Sequence, residues 1–420
     1  MLVDAAPQVR VLVVHPRDLA DPTGGGIQTF LQDFIAHAPA DFEFTVAGVS
    51  SDSDVRPVGK WSSIRLGDHA VRFLPITSAG SSPRSQPRAS LAALRRLYRE
   101  LRRPGTILQI HRPYRGLLFA AHRGRRVQFV HLDIASWPGP GGWKKASWAY
   151  HGFLKGLSGV DRVFVANEAG VGILRSSHPE LADRIRFLPG WYDDARYRPR
   201  PSSERDELRA TLGRVLGGPS GAPGEKWVLF VGRLDEVKDP LLAVHAFATF
   251  MKRTAATGAP ARLIVAGDGE MRDEVLAAAE TSGFADRVHF LGDQPRDKVA
   301  DFMAAADALL VTSRSEGGGP RVVLEALGSG LPVVTTAVGE VRRTIRPGRN
   351  GCIVEDRAAA SLAAGLEWAV AQPREAVIAE ALDAARPFTA SHVLSGLYEQ
   401  YRELARKSSA PGRHEAQRIS

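Results

Sequence analysis

Short, near-continuous runs of β-branched and other apolar residues recur along the chain, separated by stretches whose apolar positions fall at helical spacing. The first run is VRVLVVHP (residues 9–16). Its β-branched character predicts a strand buried on both faces, as in a parallel sheet. RDLADPTGGG then reads as a loop and IQTFLQDFIAHA as a helix. Further strands are predicted at FEFTVAGV (42–49), VRFLPI (71–76), TILQIH (106–111), VQFVHL (127–132), RVFVAN (162–167) and RIRFLP (184–189). SLAALRRLYRELRR (90–103) and KKASWAYHGFLKGL (144–157) predict helices among them. Strands alternating with helices imply a doubly wound α/β domain over residues 1–200.

The pattern breaks over residues 199–224, where Pro199, Pro201, Pro219 and Pro223 mix with Gly217, Gly218, Gly221 and Gly224 around SERDELRATLGRVL. This composition predicts a linker with one short helix over 201–225. The alternation then restarts: KWVLFVGR, the helix PLLAVHAFATFMKR, RLIVAGDG, the helix EMRDEVLAAAETSG, VHFLGD, ADALLVTS, a helix from Pro320, and LPVVTTAVG. Residues 226–388 therefore read as a second α/β domain, 389–405 as an amphipathic terminal helix, and 406–420 as a disordered tail. Two such domains place a ligand cleft at the C-terminal ends of their strands.

The apolar fraction of 44% and charged fraction of 24% are those of a globular protein and exclude disorder as the main theme. Cys352 is the single cysteine, so there is no disulfide framework. MLVDAAPQVRVLVVHPRD has no apolar leader run, and no apolar run approaches the ~18 residues of a membrane span. A cytoplasmic protein is expected. The net charge of +9 is unevenly spread: residues 1–200 carry 28 Lys and Arg against 17 Asp and Glu, and residues 201–420 carry 27 against 29. A basic first half suits phosphate partners, whether nucleic acid, anionic lipid or a phosphorylated substrate.

Three constellations carry candidate chemistry. Gly24, Gly25 and Gly26 lie between a strand and a helix start, where backbone N–H groups meet anions; a tight βα turn is the structural alternative. Arg233, just past a strand end, and Lys238, near a helix start, suit a diphosphate; a solvated basic pair is the alternative. In SRSEGGGPRVVLEA, Glu316 sits on a glycine loop (Gly317, Gly318, Gly319) and Glu325 on the following helix within an apolar run. A carboxylate there needs a partner, either the hydroxyls of a ribose or a structural arginine. No Walker A, GxGxxG, HExxH or zinc-type cysteine spacing is present.

These segments, taken in order with VQFVHLD (containing His131), VDRVFVANEAGVGIL, FLPGWYDDARYRP, FVGRLDEVKDP, LIVAGDGE, VHFLGD and SEGGGPRVVLEALGSGLPVV, resemble family 4 glycosyltransferases over roughly residues 9–402. The resemblance implies the GT-B architecture: two Rossmann-like domains facing across a cleft, acceptor bound by the first and nucleotide sugar by the second, with the C-terminal helix returning to the first. It implies that Gly25 and Gly26 approach the donor diphosphate and that Arg233 and Lys238 neutralise it. Glu325 would hold the ribose, Glu316 the transferred sugar, and His131 would hydrogen-bond that sugar. The base would meet backbone near Gly292 and Asp293. Three departures stand out. The two glutamates are nine positions apart where the family has eight, so strict spacing would put Gly317 at the first site. The position four after Gly339 is Arg343 rather than a glutamate. The family's Pro-Asn-Gly reads Pro189-Gly190-Trp191.

The expected activity is retaining transfer of a hexosyl group from a nucleotide-diphosphate sugar to an acceptor hydroxyl, in glycolipid, cell-surface polysaccharide or secondary-metabolite glycosylation. No cofactor or metal is expected, since Arg233, Lys238 and helix N-termini supply positive charge and Asp193-Asp194 reads as structural. The acceptor would be a sugar, a lipid-linked sugar or a small molecule. Two alternatives are a nucleotide-sugar epimerase of the same architecture and a non-catalytic nucleotide-sugar binding protein. Helix 90–103 carries Leu91, Leu94, Leu97, Tyr98 and Leu101 among five arginines. It reads as a core-packed helix with a solvated basic face or as a peripheral anchor on an anionic membrane. No recognition motif for nucleic acid accompanies the arginines.

Overall fold

A computed structural model describes residues 9–15, 18–21, 25–79, 87–111, 121–131, 134, 157, 159–216, 224–255 and 260–409. The chain divides into two units. One comprises the residues up to Leu188 and those from Leu394; the other is Pro189–Val393.

In the first unit, β1 (Val9–Val14) lies at the centre of an eight-stranded sheet. It pairs in parallel with β2 (Phe42–Ser50), Val9 opposite Phe42, and with β5 (Thr106–Ile110), Val11 opposite Ile107. β3 (Ser62–Leu66) and β4 (His69–Ser78) extend the β2 side. β6 (Arg126–Val130), β7 (Arg162–Val165) and β8 (Ile185–Phe187) extend the other side. The order is β3-β4-β2-β1-β5-β6-β7-β8, and β3 alone runs antiparallel to its neighbour. Helices α1 (Gly26–Ala36), α2 (Pro87–Leu101) and α3 (Glu168–Ser177) follow β1, β4 and β7. Central strands with both faces buried explain the near-continuous apolar runs. β3 went unread because only Ile64 of its five residues is buried.

The second unit opens with α4 (Ser202–Val215), then β9 (Lys226–Val231), α5 (Pro240–Thr254), β10 (Ala261–Ala266), α6 (Arg272–Thr281), β11 (Val288–Gly292) and α7 (Arg296–Ala305). It continues with β12 (Ala308–Val311), α8 (Arg321–Gly328), β13 (Val333–Thr336), β14 (Gly351–Val354), α9 (Ala359–Ala371) and α10 (Arg374–Ala385). All six strands are parallel in the order β11-β10-β9-β12-β13-β14, which is the Rossmann order. Side chains alternate across β9. Trp227 and Leu229 join a core with Phe302, Met303 and Leu327, whereas Val228 and Phe230 join one with Phe247, Phe250 and Leu366.

The boundary falls at 188/189 rather than near 200. Tyr192, Tyr197, Leu212 and Leu216 pack in the same core as Trp227, so the expected linker helix is part of the second unit. The final helix, α11 (Ala390–Ser409), continues past 405, and its Lys407 carbonyl accepts from Arg125 at 2.8 Å. From Leu394 onward it belongs to the first unit. There Tyr398 stacks on Phe34 and donates to the Phe34 carbonyl at 2.8 Å, while Arg402 grips Asp41 at 2.7 Å. The helix expected over 144–157, apart from Leu157, and the tail beyond 409 lie outside the described residues.

α2 departs from a simple core helix. Ala93, Leu97 and Leu101 are buried, but Leu91, Leu94 and Tyr98 are 49%, 54% and 49% exposed. Arg95 and Arg99 are exposed beside them.

Candidate active site

In the second unit the order of strands reverses between β9 and β12, and the loops leaving these two strands carry Arg233, Lys238, Glu316 and Gly317–Gly319. Beyond β9, Asp235 organises a turn. Its carbonyl accepts from the Lys238 N–H at 3.1 Å and its Oδ1 accepts from the same N–H at 3.0 Å, while Oδ2 pairs with Arg233 at 2.7 Å. The Arg233 side chain is 66% exposed, although its partner Asp235 is buried. The Lys238 stem runs beside Gly232, where an added Cβ would lie 3.6 Å from its Cγ and Cδ.

Beyond β12, Ser313 donates to Glu316 Oε1 at 2.8 Å, and the ammonium of Lys238 donates to the same oxygen. The structure thus brings Lys238 and Glu316 together. Thr312 Oγ1 ties the two loops by donating to the carbonyls of Lys238 and Asp239, at 2.9 and 2.8 Å. Asp239 takes up a left-handed conformation, φ 48°, at the N-cap of α5 and receives ion pairs from Arg314 and Arg357. The glycine loop is braced from β13's side. A Cβ on Gly339, φ 50°, would lie 1.8 Å from the Gly318 carbonyl oxygen and 3.1 Å from Glu316 Cβ. Gly317 and Gly319 are half-buried in the same loop.

Glu325 lies buried on α8, with Arg321 Nε 3.8 Å from its Oε1. Burial, together with the Glu325 carboxylate, pushes the Tyr197 hydroxyl well above its usual range, so that phenol stays protonated beside the carboxylate. The structural-arginine alternative for Glu325 is therefore present in Arg321. Gly292 ends β11 with φ 66° and open space where a Cβ would be, and Asp293 beyond it is exposed. Gly267 sits between the two strand ends: its N–H donates to the Gly292 carbonyl at 2.8 Å, and its missing Cβ would collide with the Gly232 carbonyl. Gly232, Gly267 and Gly292 form a side-chain-free shelf along β9, β10 and β11.

In the first unit, Gly25 is the N-cap of α1 with ordinary extended angles, and a Cβ on Gly25 or Gly26 would meet no described atom within 4 Å. Neither backbone angle nor packing among the described residues demands glycine there. His131 follows β6. Its ring packs edge-on against Phe30 of α1 at 5.3 Å and its Nε2 meets His111 Nδ1 at 2.9 Å. Burial pulls its pKa down to about 4, so the ring is neutral at pH 7.

Comparison with known proteins gives these loops a context. Residues 219–382 match the family model described as glycosyl transferases group 1. The D-inositol 3-phosphate glycosyltransferase of Rhodococcus opacus is 35% identical over 227 residues, covering 52% of this chain and 48% of that protein. The protein of the same name from Frankia alni is 30% identical over 258 residues, covering 59% of this chain and 60% of that protein. The chain thus spans about half the length of the curated relatives it matches. Among solved structures, sucrose-phosphate synthase from Thermosynechococcus elongatus superposes with a TM-score of 0.73 at 18% identity, over 95% of this chain and 100% of that one. Anabaena HepE in complex with UDP-glucose gives 0.70 at 16%, over 94% and 99%. These likenesses show the GT-B fold class of two Rossmann-like α/β domains, and the group 1 match supports a glycosyltransferase.

Several residues of the group 1 segment escaped the sequence reading. Asp235, Ser313 and Asp239 hold the charged residues in place, yet each reads as an ordinary loop acid or hydroxyl. Gly267 and Gly339 are visible as glycines, but the backbone carbonyls they face are distant in sequence. Of the departures, Gly190 lies against Leu324 (3.5 Å to where its Cβ would be) and Trp191 is buried near Arg321, so that segment shapes the α8 side of the core. Arg343, at the late glutamate position, lies in a 3-10 turn with its Nε 3.9 Å from Glu340.

Proposed function

We propose that the chain is a retaining glycosyltransferase that moves a hexosyl group from a nucleotide-diphosphate sugar to an acceptor hydroxyl without a metal ion. The observation that carries this reading is the Lys238–Glu316 pair, held at the switch point of a Rossmann sheet that matches group 1 glycosyl transferases. The assigned chemistry is charge stabilisation. Breaking the sugar–phosphate bond places negative charge on the leaving diphosphate and positive character on the sugar ring. Arg233 and Lys238 oppose the first, and the Glu316 carboxylate, with Lys238 drawn toward phosphate, faces the second. Glu325 receives the ribose, Gly25, Gly26 and the Gly317–Gly319 loop lie against phosphate and sugar, and Gly292 and Asp293 border the base. His131 hydrogen-bonds the transferred sugar. The departing phosphate takes the acceptor's proton, so no side chain is assigned as general base. The curated relatives are named for a phosphorylated acceptor, and the basic first 200 residues suit an anionic acceptor here.

The exposed Leu91, Leu94 and Tyr98 with Arg95 and Arg99 favour a further element of this reading: α2 rests on an anionic membrane surface, its apolar side chains in the headgroup layer and its arginines on phosphate. No helix among the described residues is long and apolar enough to cross a membrane.

A panel of UDP-, GDP- and ADP-sugars tests the activity. One class is expected to raise the melting temperature, since a ligand at 100 times its Kd adds about 2.7 kcal/mol to folding stability, and to support sugar transfer or slow hydrolysis. Stabilisation by none of them overturns the reading. Stabilisation without any turnover favours a binding protein.

A further inference from the structure

We infer that Tyr401, on the C-terminal helix, is a positioning residue that sets which ring nitrogen of His131 carries the proton, acting through Gln109 and His111. All four residues lie in the first unit. The Tyr401 hydroxyl meets Gln109 Oε1 at 2.5 Å, Gln109 Nε2 meets His111 Nε2 at 2.8 Å, and His111 Nδ1 meets His131 Nε2 at 2.9 Å. Tyr401 and Gln109 are fully buried and His111 is 5% exposed, so bulk water does not reset the donors and acceptors along the first three members. The His111 and His131 ring planes lie within 11° of parallel with centroids 5.2 Å apart, edge to edge rather than face to face, and both pack against Phe30 of α1, which holds the two nitrogens facing each other.

The direction of the chain follows from its buried end. A phenol at this depth keeps its proton, because burial raises its pKa far above the usual value. Gln109 Oε1 accepts that proton, and a buried O–H without an acceptor is costly. Tyr401 therefore donates to Oε1, which turns the amide so that Nε2–H donates to His111 Nε2. His111 then carries its own proton on Nδ1 and donates it to His131 Nε2. His131, neutral at pH 7, is left with its proton on Nδ1 and presents an N–H donor there rather than a lone pair. A donor of this kind suits a sugar hydroxyl oxygen. A central strand residue such as Gln109 is an unusual place for an amide, and this chain is a use for it. The link to catalysis rests on the proposed contact of His131 with the transferred sugar; the tautomer itself does not.

Long-range 1H–15N NMR correlation on the full chain, labelled at histidine and assigned with His111→Asn and His131→Asn variants, reads the tautomers directly. The wild type is expected to show Nδ1–H for both rings. Tyr401→Phe keeps the ring packing and removes the O–H; it is expected to give His131 signals of Nε2–H or of exchange between the two forms. Its turnover should fall about tenfold, a loss typical of removing an outer orienting hydrogen bond, with the donor KM nearly unchanged. An Nε2–H proton on His131 in the wild type overturns the inference, as does an unchanged tautomer in Tyr401→Phe. If the tautomer responds but His131→Asn keeps full turnover, the relay stands and the sugar contact of His131 falls.

Discussion

Replacing Gly339 with alanine tests whether the glycine loop carrying Glu316 is held in place from β13's side. The residue has φ 50°, a conformation that costs a side-chain-bearing residue about 1–2 kcal/mol. Its new Cβ would lie 1.8 Å from the Gly318 carbonyl oxygen, which is backbone. Ordinary carbon–oxygen contacts begin near ~3.3 Å, so the carbonyl must retreat by about 1.5 Å. The same Cβ lies 3.1 Å from Glu316 Cβ, so Glu316 moves with the loop and loses its registry with Lys238 and Ser313. The conformational cost alone should lower the melting temperature by about 2–8 °C, at 2–4 °C per kcal/mol for a unit of about 200 residues. Turnover should fall about 10²-fold, the effect of misplacing a reacting group by ~1 Å. Gly190→Ala, in the same unit, is the control, because its Cβ would make only ordinary contacts, the nearest 3.5 Å from Leu324. Differential scanning fluorimetry and a donor-turnover assay compare the two. Equal melting and equal turnover would refute the bracing argument.

Arg233→Ala and Lys238→Ala should each lower turnover ~10²-fold or more, the usual cost of one preorganised charge stabiliser, while EDTA leaves the rate unchanged; near wild-type rates in both variants, or strict metal dependence, would reject the assignment. Glu325→Ala should weaken binding of free nucleotide in calorimetry, whereas Glu316→Ala should retain it and lose turnover; identical nucleotide affinities would mean that the two carboxylates do not divide the work as assigned. Anionic liposomes should bind the chain at low salt and release it at high salt, and changing Arg95, Arg99 and Arg102 together to Gln should abolish the binding, each cation near the surface contributing ~1 kcal/mol. Binding that ignores lipid charge would remove α2 from the surface. Stability should decline as pH falls from 6.5 to about 4, because over that window the unfolded chain takes up a proton that folded His131 refuses. The full shift corresponds to about 3 kcal/mol, and His131→Asn should flatten the urea-denaturation profile across the window; an unchanged slope would deny His131 its depressed pKa.

Much of the architecture was legible because buried parallel strands announce themselves as apolar runs, and β1, β9 and β10 do so with little interruption. β3 did not, since an edge strand with one buried side chain has no period to detect. α2 was read correctly as a helix, but its leucines sit on two faces, and spacing alone assigns Leu91 and Leu94 to the core as readily as Leu97. At the candidate site, glycine loops beside strand ends pointed to Lys238 and Glu316, which the structure brings together. Their supports could not be named in advance. The contact between Gly339 and Gly318, the Thr312 ties to Lys238 and Asp239, and the Gln109 chain all join residues far apart in sequence through atoms that leave no compositional mark.

The division at Leu188 and again at Leu394 makes the first unit a discontinuous body with the second inserted into it. Vectorial synthesis then reverses the order in which the two can be completed. Residues 189–393 form a contiguous stretch and can close their own sheet as soon as they emerge. The first unit must wait, with Phe34, Phe42 and Asp41 lacking Tyr398, Tyr401 and Arg402, until the last helix has been made. At ~5–20 residues per second that interval is about 10–40 s. During it the rings of Phe34 and Phe42 lack that cover. The fold thus carries a built-in delay whose length is set by the size of the inserted body.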